Sequence, residues 1–287
     1  MKQRSVLAAR RDRAADRAVQ ARQHAAIVRF ERYRTMREGF IALIQLHSTQ
    51  PVPGPAGASH RQDVTMIQFE PKFITFDCYG TLTRFRMGDM AREVYADRLS
   101  PVDLEEFVRV FAGYRLDEVL GAWKPYRDVV VNAIRRTCNR LGVKFDEAEA
   151  ERFYFAVPTW GPHPDVPAGL SRLATKYKLV ILSNASDDQI MSNVDKLGAP
   201  FHAVFTAQQA QSYKPRMQGF EYMFDKLGCQ PQDVLHVSSS LRYDLMTAED
   251  LGIKHKAFVN RGHEPGTPFY NYYEVSDIGH LATQLGL

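Results

Sequence analysis

The sequence predicts a doubly wound α/β fold, a parallel sheet with helices on both faces and a helical segment inserted after its first strand. Three observations carry this. Short apolar, β-branched runs recur at Phe73–Phe76, Lys178–Leu182, Ala203–Thr206, Val234–Val237 and Lys256–Val259, each short enough for a buried strand. Helix-patterned segments alternate with the later runs, which is how parallel sheets are connected. The first and second runs, by contrast, are separated by about a hundred residues, of which 87–164 read as helix throughout. At 287 residues the chain can hold a core domain with a smaller insert.

Residues 1–65 are set apart by composition. They hold 12 Lys and Arg against 5 Asp and Glu, so the overall net charge of +4 belongs to this stretch and the rest of the chain is acidic. The folded part therefore offers no electrostatic case for binding nucleic acid. Ile27, Phe30, Tyr33, Phe40 and Ile44 are spaced as on one helix face, and Pro51-Val52-Pro53-Gly54-Pro55 then breaks the pattern. A partner-binding helix, a targeting segment and an upstream stretch outside the native product all fit. Asp12, Asp16, Glu31 and Glu38 are unusual for a targeting peptide, and Met66 stands just before the first strand, which favours the third. No apolar run is long enough to span a bilayer. Three cysteines without close spacing, Cys78, Cys138 and Cys229, fit a reducing cytoplasm rather than a disulfide framework.

The first strand, Phe73-Ile74-Thr75-Phe76, runs into Asp77 and is broken at once by Gly80-Thr81. A carboxylate at the C-terminal end of a strand lies where open α/β sheets place their active sites. Residues 87–164 follow as the helical segment. Ser100-Pro101-Val102-Asp103 is a capping box that opens a helix toward Leu120. Pro125 opens a second, closed by Gly142, and Asp146–Val157 forms a third before Pro158. Such an insert can cap a site and exclude water. Residues 66–86 and 165–287 form the sheet-bearing core. In it, helices over about 187–197, 217–227 and 242–251 separate the later strands, with Gly228 and Gly252 as C-terminal caps.

Four polar groups gather at strand ends in chain order: Asp77, Ser183-Asn184, Lys214 and Asp244. Each has a plain structural reading. Ser183-Asn184 suits either an anion holder or the cap of the following helix. Lys214 before Pro215 suits a solvated turn, and Asp244 suits an acid in a first helical turn. Cys78 alternates away from Asp77, as a buried thiol used for packing does. No pair of the nine histidines has metal-ligand spacing, and His236 reads as a hydrogen-bonded core residue.

Taken together, in this order, the four groups resemble the motifs of the haloacid dehalogenase superfamily over about residues 68–275. The resemblance implies a Rossmann-like core in which Asp77 is the nucleophile, Lys214 keeps it charged and Asp244 orients water. Phosphatases of this superfamily carry a second Asp two residues after the first and another near the last motif, and they use both with magnesium. Here those positions hold Tyr79 and Ser239. Asp-x-Tyr-Gly-Thr-Leu is the form seen in 2-haloacid dehalogenases. This implies hydrolysis of a small 2-haloacid to a 2-hydroxy acid through an Asp77 ester, without metal or cofactor, with the (S)-2-haloacid enzymes as the type. It further places Tyr79, Arg115, Ser183, Asn184 and Ser239 about the substrate, with Arg115 receiving the halide. Related dehalogenases are often homodimers. Phe85, Tyr114 and Trp160 are candidates for an apolar pocket wall.

Two positions depart from the family pattern. Phe220 stands where dehalogenases carry Tyr, and Leu241 where they carry Asn. Two rival functions follow: a phosphatase or phosphonate hydrolase of the same fold, and a non-catalytic binding protein that retained it. Buried paired charges at Asp77, Lys214 and Asp244 would serve no purpose in the latter.

Overall fold

The computed structural model describes residues 66–287; the expectations for the first 65 residues lie outside that range. Six strands, β1 (Phe73–Phe76), β2 (Lys178–Ser183), β3 (Ala203–Thr206), β4 (Val234–Ser238), β5 (His255–Val259) and β6 (Tyr273–Val275), form one sheet. Their order is β3-β2-β1-β4-β5-β6, and every pairing is parallel. The chain turns to opposite sides of β1, so β1 is the switch point, where the ends of neighbouring strands leave a crevice. In the registers of β1, Phe76 lies beside both Ile181 and Val237. Asp77, Ser183 and Ser239 therefore emerge within two residues of the same level at the C-terminal edge.

The strand side chains are buried on both faces, as a doubly wound sheet requires. Ile74, Phe76, Ile181 and Val237 pack on one face with helices α5 (Val166–Ala174), α6 (Asp187–Val194) and α10 (Ile278–Gln284). Phe73, Val180, Leu182 and Phe205 pack on the other with α8 (Gln218–Leu227) and Ala248 of α9 (Met246–Asp250). A four-residue turn of helix, α7 (Ala207–Ala210), follows β3. α5 and α10 touch at Gly169, where a Cβ would come within 2.7 Å of the Ile278 backbone; only glycine permits that approach.

Between β1 and α5 lie four helices, α1 (Met87–Tyr95), α2 (Pro101–Leu120), α3 (Tyr126–Leu141) and α4 (Glu147–Ala156). Their ends follow the local signals. Ser100 Oγ accepts the Asp103 N–H at the start of α2, and Asp146 accepts the Glu149 N–H at the start of α4. Gly142 ends α3 with φ of 69°, a left-handed cap that glycine adopts without strain. The four helices bury a separate apolar cluster that includes Phe107, Phe111, Val130, Ile134 and Phe153. At about 1.5–3 kcal/mol for each large side chain buried, this cluster holds the insert together and ties it to the core through Ala207 and Tyr213. The chain enters and leaves the insert side by side, with Arg84 N–H bonded to Gly161 O and His163 N–H to Leu82 O.

The structure differs from the expectation in a few elements. The sheet has a sixth strand, β6, whose three residues are too few to show periodicity. Helices α1, α5 and α10 complete the layers. The segment expected as one helix over 242–251 opens with a π-helical turn at Leu241–Leu245 before α9, a wider winding that recurs at functional sites. Among the described residues no helix is long and apolar enough to cross a membrane.

Candidate active site

Asp77 follows β1 directly, and its backbone N–H bonds to Val237 O at 3.0 Å. The chain then reverses at Gly80, whose φ of 100° is strained for any other residue. The reversal swings Thr81 back so that its hydroxyl donates to Asp77 Oδ2 at 2.7 Å and accepts the Ser239 N–H at 2.9 Å. Lys214 Nζ reaches the other Asp77 oxygen, Oδ1, at 2.9 Å. The same ammonium donates to Asp244 Oδ1 at 2.7 Å and to the Leu182 carbonyl at 2.8 Å. All three of its protons are therefore used. Asn184 fixes the lysine from behind: its amide accepts the Lys214 N–H at 2.7 Å and donates to the Lys214 carbonyl at 2.8 Å.

These charges lie in near-complete burial, with Asp77 7% exposed, Lys214 2% and Asp244 0%. Burial would lower the Lys214 ammonium, but the Asp244 and Asp77 carboxylates outweigh it and raise its pKa above the ordinary lysine value. For Asp244, burial is overcome by Lys214 and then by His236, so its carboxyl sits below the usual range. Asp77 goes the other way. Burial raises it and the neighbouring Asp244 adds to this, against the opposing pull of Lys214 and Thr81. The single lysine is shared by two carboxylates and balances one of them more fully than the other.

All eight residues singled out from the sequence, Asp77, Tyr79, Arg115, Ser183, Asn184, Lys214, Ser239 and Asp244, border one cavity of about 560 Å³. Their availability differs. Ser183 Oγ is buried and has no hydrogen-bond partner. The Asn184 amide is engaged with Lys214, and the Tyr79 hydroxyl gives its hydrogen to Asn193 at 2.7 Å. Arg115, from α2, lies over the rings of Phe85 and Phe111 at 4.7 and 4.9 Å, and its Nε is buried without a partner.

The aromatic expectations divide. Phe85 borders the cavity. Trp160 stands one layer behind, its ring edge-on to Phe85 and Tyr79. Tyr114 does not contribute: it borders a separate surface groove, beneath the Arg136 guanidinium at 4.2 Å, because its place on α2 turns it away from Arg115's side. Val108, Ala112, Leu116 and Val129 complete the apolar wall instead.

Phe220 and Leu241, the two departures from the family pattern, are both core residues. Phe220 packs with Met223 and Phe224, and Leu241 with Leu245 and Phe258. Cys78 is fully buried, and burial pushes its thiol up to about 12, which leaves it inert at neutral pH.

Three participants escaped the sequence reading. Thr81 sat within the opening motif, a hydroxyl four residues after the acid. His236 bonds to Asp244 Oδ1 at 2.9 Å. Glu264 borders the cavity and accepts the Leu241 N–H at 2.9 Å and the Ser240 hydroxyl at 3.1 Å; no local pattern marks it.

The donor set does not suit a divalent cation. Both Asp77 oxygens are taken by Lys214 and Thr81, and the ammonium lies between the two carboxylates. Among the described residues no three His, Cys, Asp or Glu side chains cluster as metal ligands would.

The family model for haloacid dehalogenase-like hydrolases matches residues 71–252. The chain belongs to this family. Among curated relatives of this haloacid dehalogenase-like hydrolase, (S)-2-haloacid dehalogenase H-109 of Pseudomonas putida is 28% identical over 227 residues, covering 74% of this chain and 96% of the relative. Haloacetate dehalogenase H-2 of Moraxella sp. (strain B) is 26% identical over 192 residues, 66% and 85% of the two chains. The fold is shared with L-2-haloacid dehalogenase of Xanthobacter autotrophicus, solved with chloropropionic acid covalently bound. The TM-score is 0.62 and the identity 23%, over 76% of this chain and 99% of that one.

Proposed function

We propose that the chain is a hydrolytic dehalogenase that converts 2-haloalkanoic acids to 2-hydroxy acids through an ester on Asp77. The observation that carries this is the buried set in which Lys214 bridges Asp77 and Asp244, with Tyr79 and Ser239 at the two positions where phosphoryl transfer would need further acids.

An ionised carboxylate attacks without a general base, provided it is oriented. Thr81 and Lys214 orient Asp77 from its two oxygens. One oxygen forms a bond to Cα of the substrate as the carbon–halogen bond breaks, and the halide departs with the bonding pair. A halide leaves without a proton, so no acid is needed at position 79. Arg115, with a free Nε against an apolar wall, receives it. The Ser183 hydroxyl is a donor for the substrate carboxylate. Water, deprotonated by Asp244, then attacks Cγ of the Asp77 ester. As the bond between Cγ and the ester oxygen breaks, Asp244 passes its proton to that oxygen and the 2-hydroxy acid leaves. Asp77 releases the second water proton to solvent and keeps one solvent oxygen. The four-helix insert acts as the cap that keeps bulk water from this chemistry.

The test is halide release from chloroacetate and (S)-2-chloropropionate, with and without chelator. Release at equal rates in both is expected, and turnover in heavy-oxygen water is expected to place solvent oxygen in the Asp77 peptide. Phosphate release that requires magnesium, with no halide release, would overturn the reading.

A further inference from the structure

His236 is fully buried in β4 and bonded on both sides of its ring. Nε2 lies 2.9 Å from Asp244 Oδ1, and Nδ1 lies 2.9 Å from Thr75 Oγ1. The second contact is built into the sheet, because Thr75 and His236 are direct partners in the parallel register of β1 and β4. Phe220 packs its ring edge-on to the imidazole, with centroids 5.0 Å apart, and offers it no hydrogen bond. The imidazole thus has two polar neighbours and little room to turn.

The chemistry of those neighbours determines the direction of the Nε2 bond. Asp244 is held ionised below the usual carboxyl range, and a carboxylate can only accept. Nε2 must therefore carry a proton and donate it to Oδ1. A hydroxyl can do either, so Thr75 suits Nδ1 in both roles and holds the ring in place from its far side. Asp244 Oδ1 then has two donors, Lys214 and His236. Its other oxygen, Oδ2, is buried with no partner among the described residues, on a residue that borders the cavity.

We infer that His236 is a positioning residue for the hydrolytic half of the reaction. By pinning Oδ1 it sets the rotation of the Asp244 carboxylate, and so the line along which Oδ2 receives a proton from the attacking water. Among the described residues no hydrogen bond joins His236 to Asp77, and Lys214 is held toward Asp77 by the Leu182 carbonyl as well as by Asp244, so the first step, displacement of halide, does not depend on it. This inference rests on the proposed function, because it assumes an Asp77 ester that must be hydrolysed.

The two half-reactions separate in time, and that gives the test. In His236→Leu, which keeps an apolar side chain in the strand, a halide burst of one equivalent is expected at the unaltered rate. Steady turnover is expected to fall about 10²-fold, as for a misplacement of about 1 Å. Intact mass measurement should show the ester accumulating, a state the unaltered protein passes through quickly. His236→Gln, which keeps a donor for Oδ1, should restore most of the turnover. Thr75→Val removes the hydroxyl at constant shape and should lower turnover in the same way with the fold intact. Turnover at the unaltered rate in both His236→Leu and Thr75→Val, or a burst that slows in step with turnover, would overturn the role of His236 alone. No halide from the unaltered protein would overturn the proposed function and this inference with it.

Discussion

The two walls of the cavity are built on opposite principles. The sheet edge presents Asp77, Lys214 and Asp244, with His236 behind Asp244, charged or polar groups that are 7% exposed or less and bonded chiefly to one another. The helical insert presents Val108, Ala112, Leu116 and Val129, with Arg92 and with Arg115 laid against aromatic rings. The difference follows from how each wall is held. Strand ends are fixed on both sides by ladder hydrogen bonds, so they can hold charges to the fraction of an ångström that a shared ammonium needs. The insert is held by an apolar cluster that reaches Ala207 and Tyr213 of the core, and it meets the core at polar points such as Tyr213 Oη donating to Lys124 O at 2.9 Å and Asn193 donating to the Trp160 carbonyl at 2.9 Å. It suits shaping and desolvation rather than bond-making.

The strongest way to break this comparison is Asp77→Asn. Loss of a nucleophile costs activity on the order of 10⁵-fold, measured as halide release. Stability should move the other way. The Asp77 pKa is raised in the folded state, so its ionisation above that value costs folding free energy. Asn removes that cost and leaves Lys214 paired with Asp244. A gain of about 1 kcal/mol, or a Tm rise of about 2–4 °C, is expected; a lower Tm would mean that Lys214 stabilises Asp77 more than burial penalises it.

Lys214→Met reverses the sign. Two buried carboxylates then face each other without a cation, a loss of about 3–5 kcal/mol in urea unfolding. A loss as small as that of an exposed pair would show that the sheet edge is more solvated than its burial indicates.

Arg115→Met tests the other wall. Among the described residues nothing bonds to its Nε, and it otherwise meets the Tyr126 hydroxyl and two aromatic faces, so unfolding free energy should change by only about 1 kcal/mol. The value of kcat/KM should nevertheless fall about 10²-fold, the usual cost of removing one stabilising donor. A large loss of stability with little change in rate would make Arg115 a structural residue.

The finest distinction is in pH. On the proposed mechanism Asp77 must be ionised to attack, so kcat/KM should fall as pH drops through its raised pKa, above the ordinary aspartate value. The Asp244 pKa is lowered. Its contribution to stability is present above the unfolded value and is lost only as pH falls through the folded one. Activity should therefore disappear at a higher pH than stability, and coincident acid limbs would remove the asymmetry between the two carboxylates.

Much of this was legible from local sequence. Ser100 and Gly142 mark helix ends because capping depends on a few neighbouring residues, and Asp77 stands out because it ends an apolar run, whereas Lys214 and Asp244 stand out only through their order after it. Legibility failed where the outcome depended on distant neighbours. Tyr114 and Arg115 are adjacent in sequence, yet only Arg115 reaches the cavity, since adjacent residues on a helix point in different directions. Phe220 and Leu241 look like losses from a polar pocket, but packing places both in core clusters. His236 reads as an ordinary buried histidine until the register of β1 with β4 sets Thr75 beside it and the wide turn after β4 brings Asp244 back over its ring.

The sequence by itself determined the fold class, the order of the strand-end groups and the absence of acids at Tyr79 and Ser239, because these are properties of residue type and local spacing. The tertiary structure alone decided that one lysine serves two carboxylates and that Asp244 keeps one oxygen bare. Those facts arise where three strand ends and two turns converge within hydrogen-bonding distance, and a hydrogen bond is decided within a few tenths of an ångström that no spacing along a chain can specify.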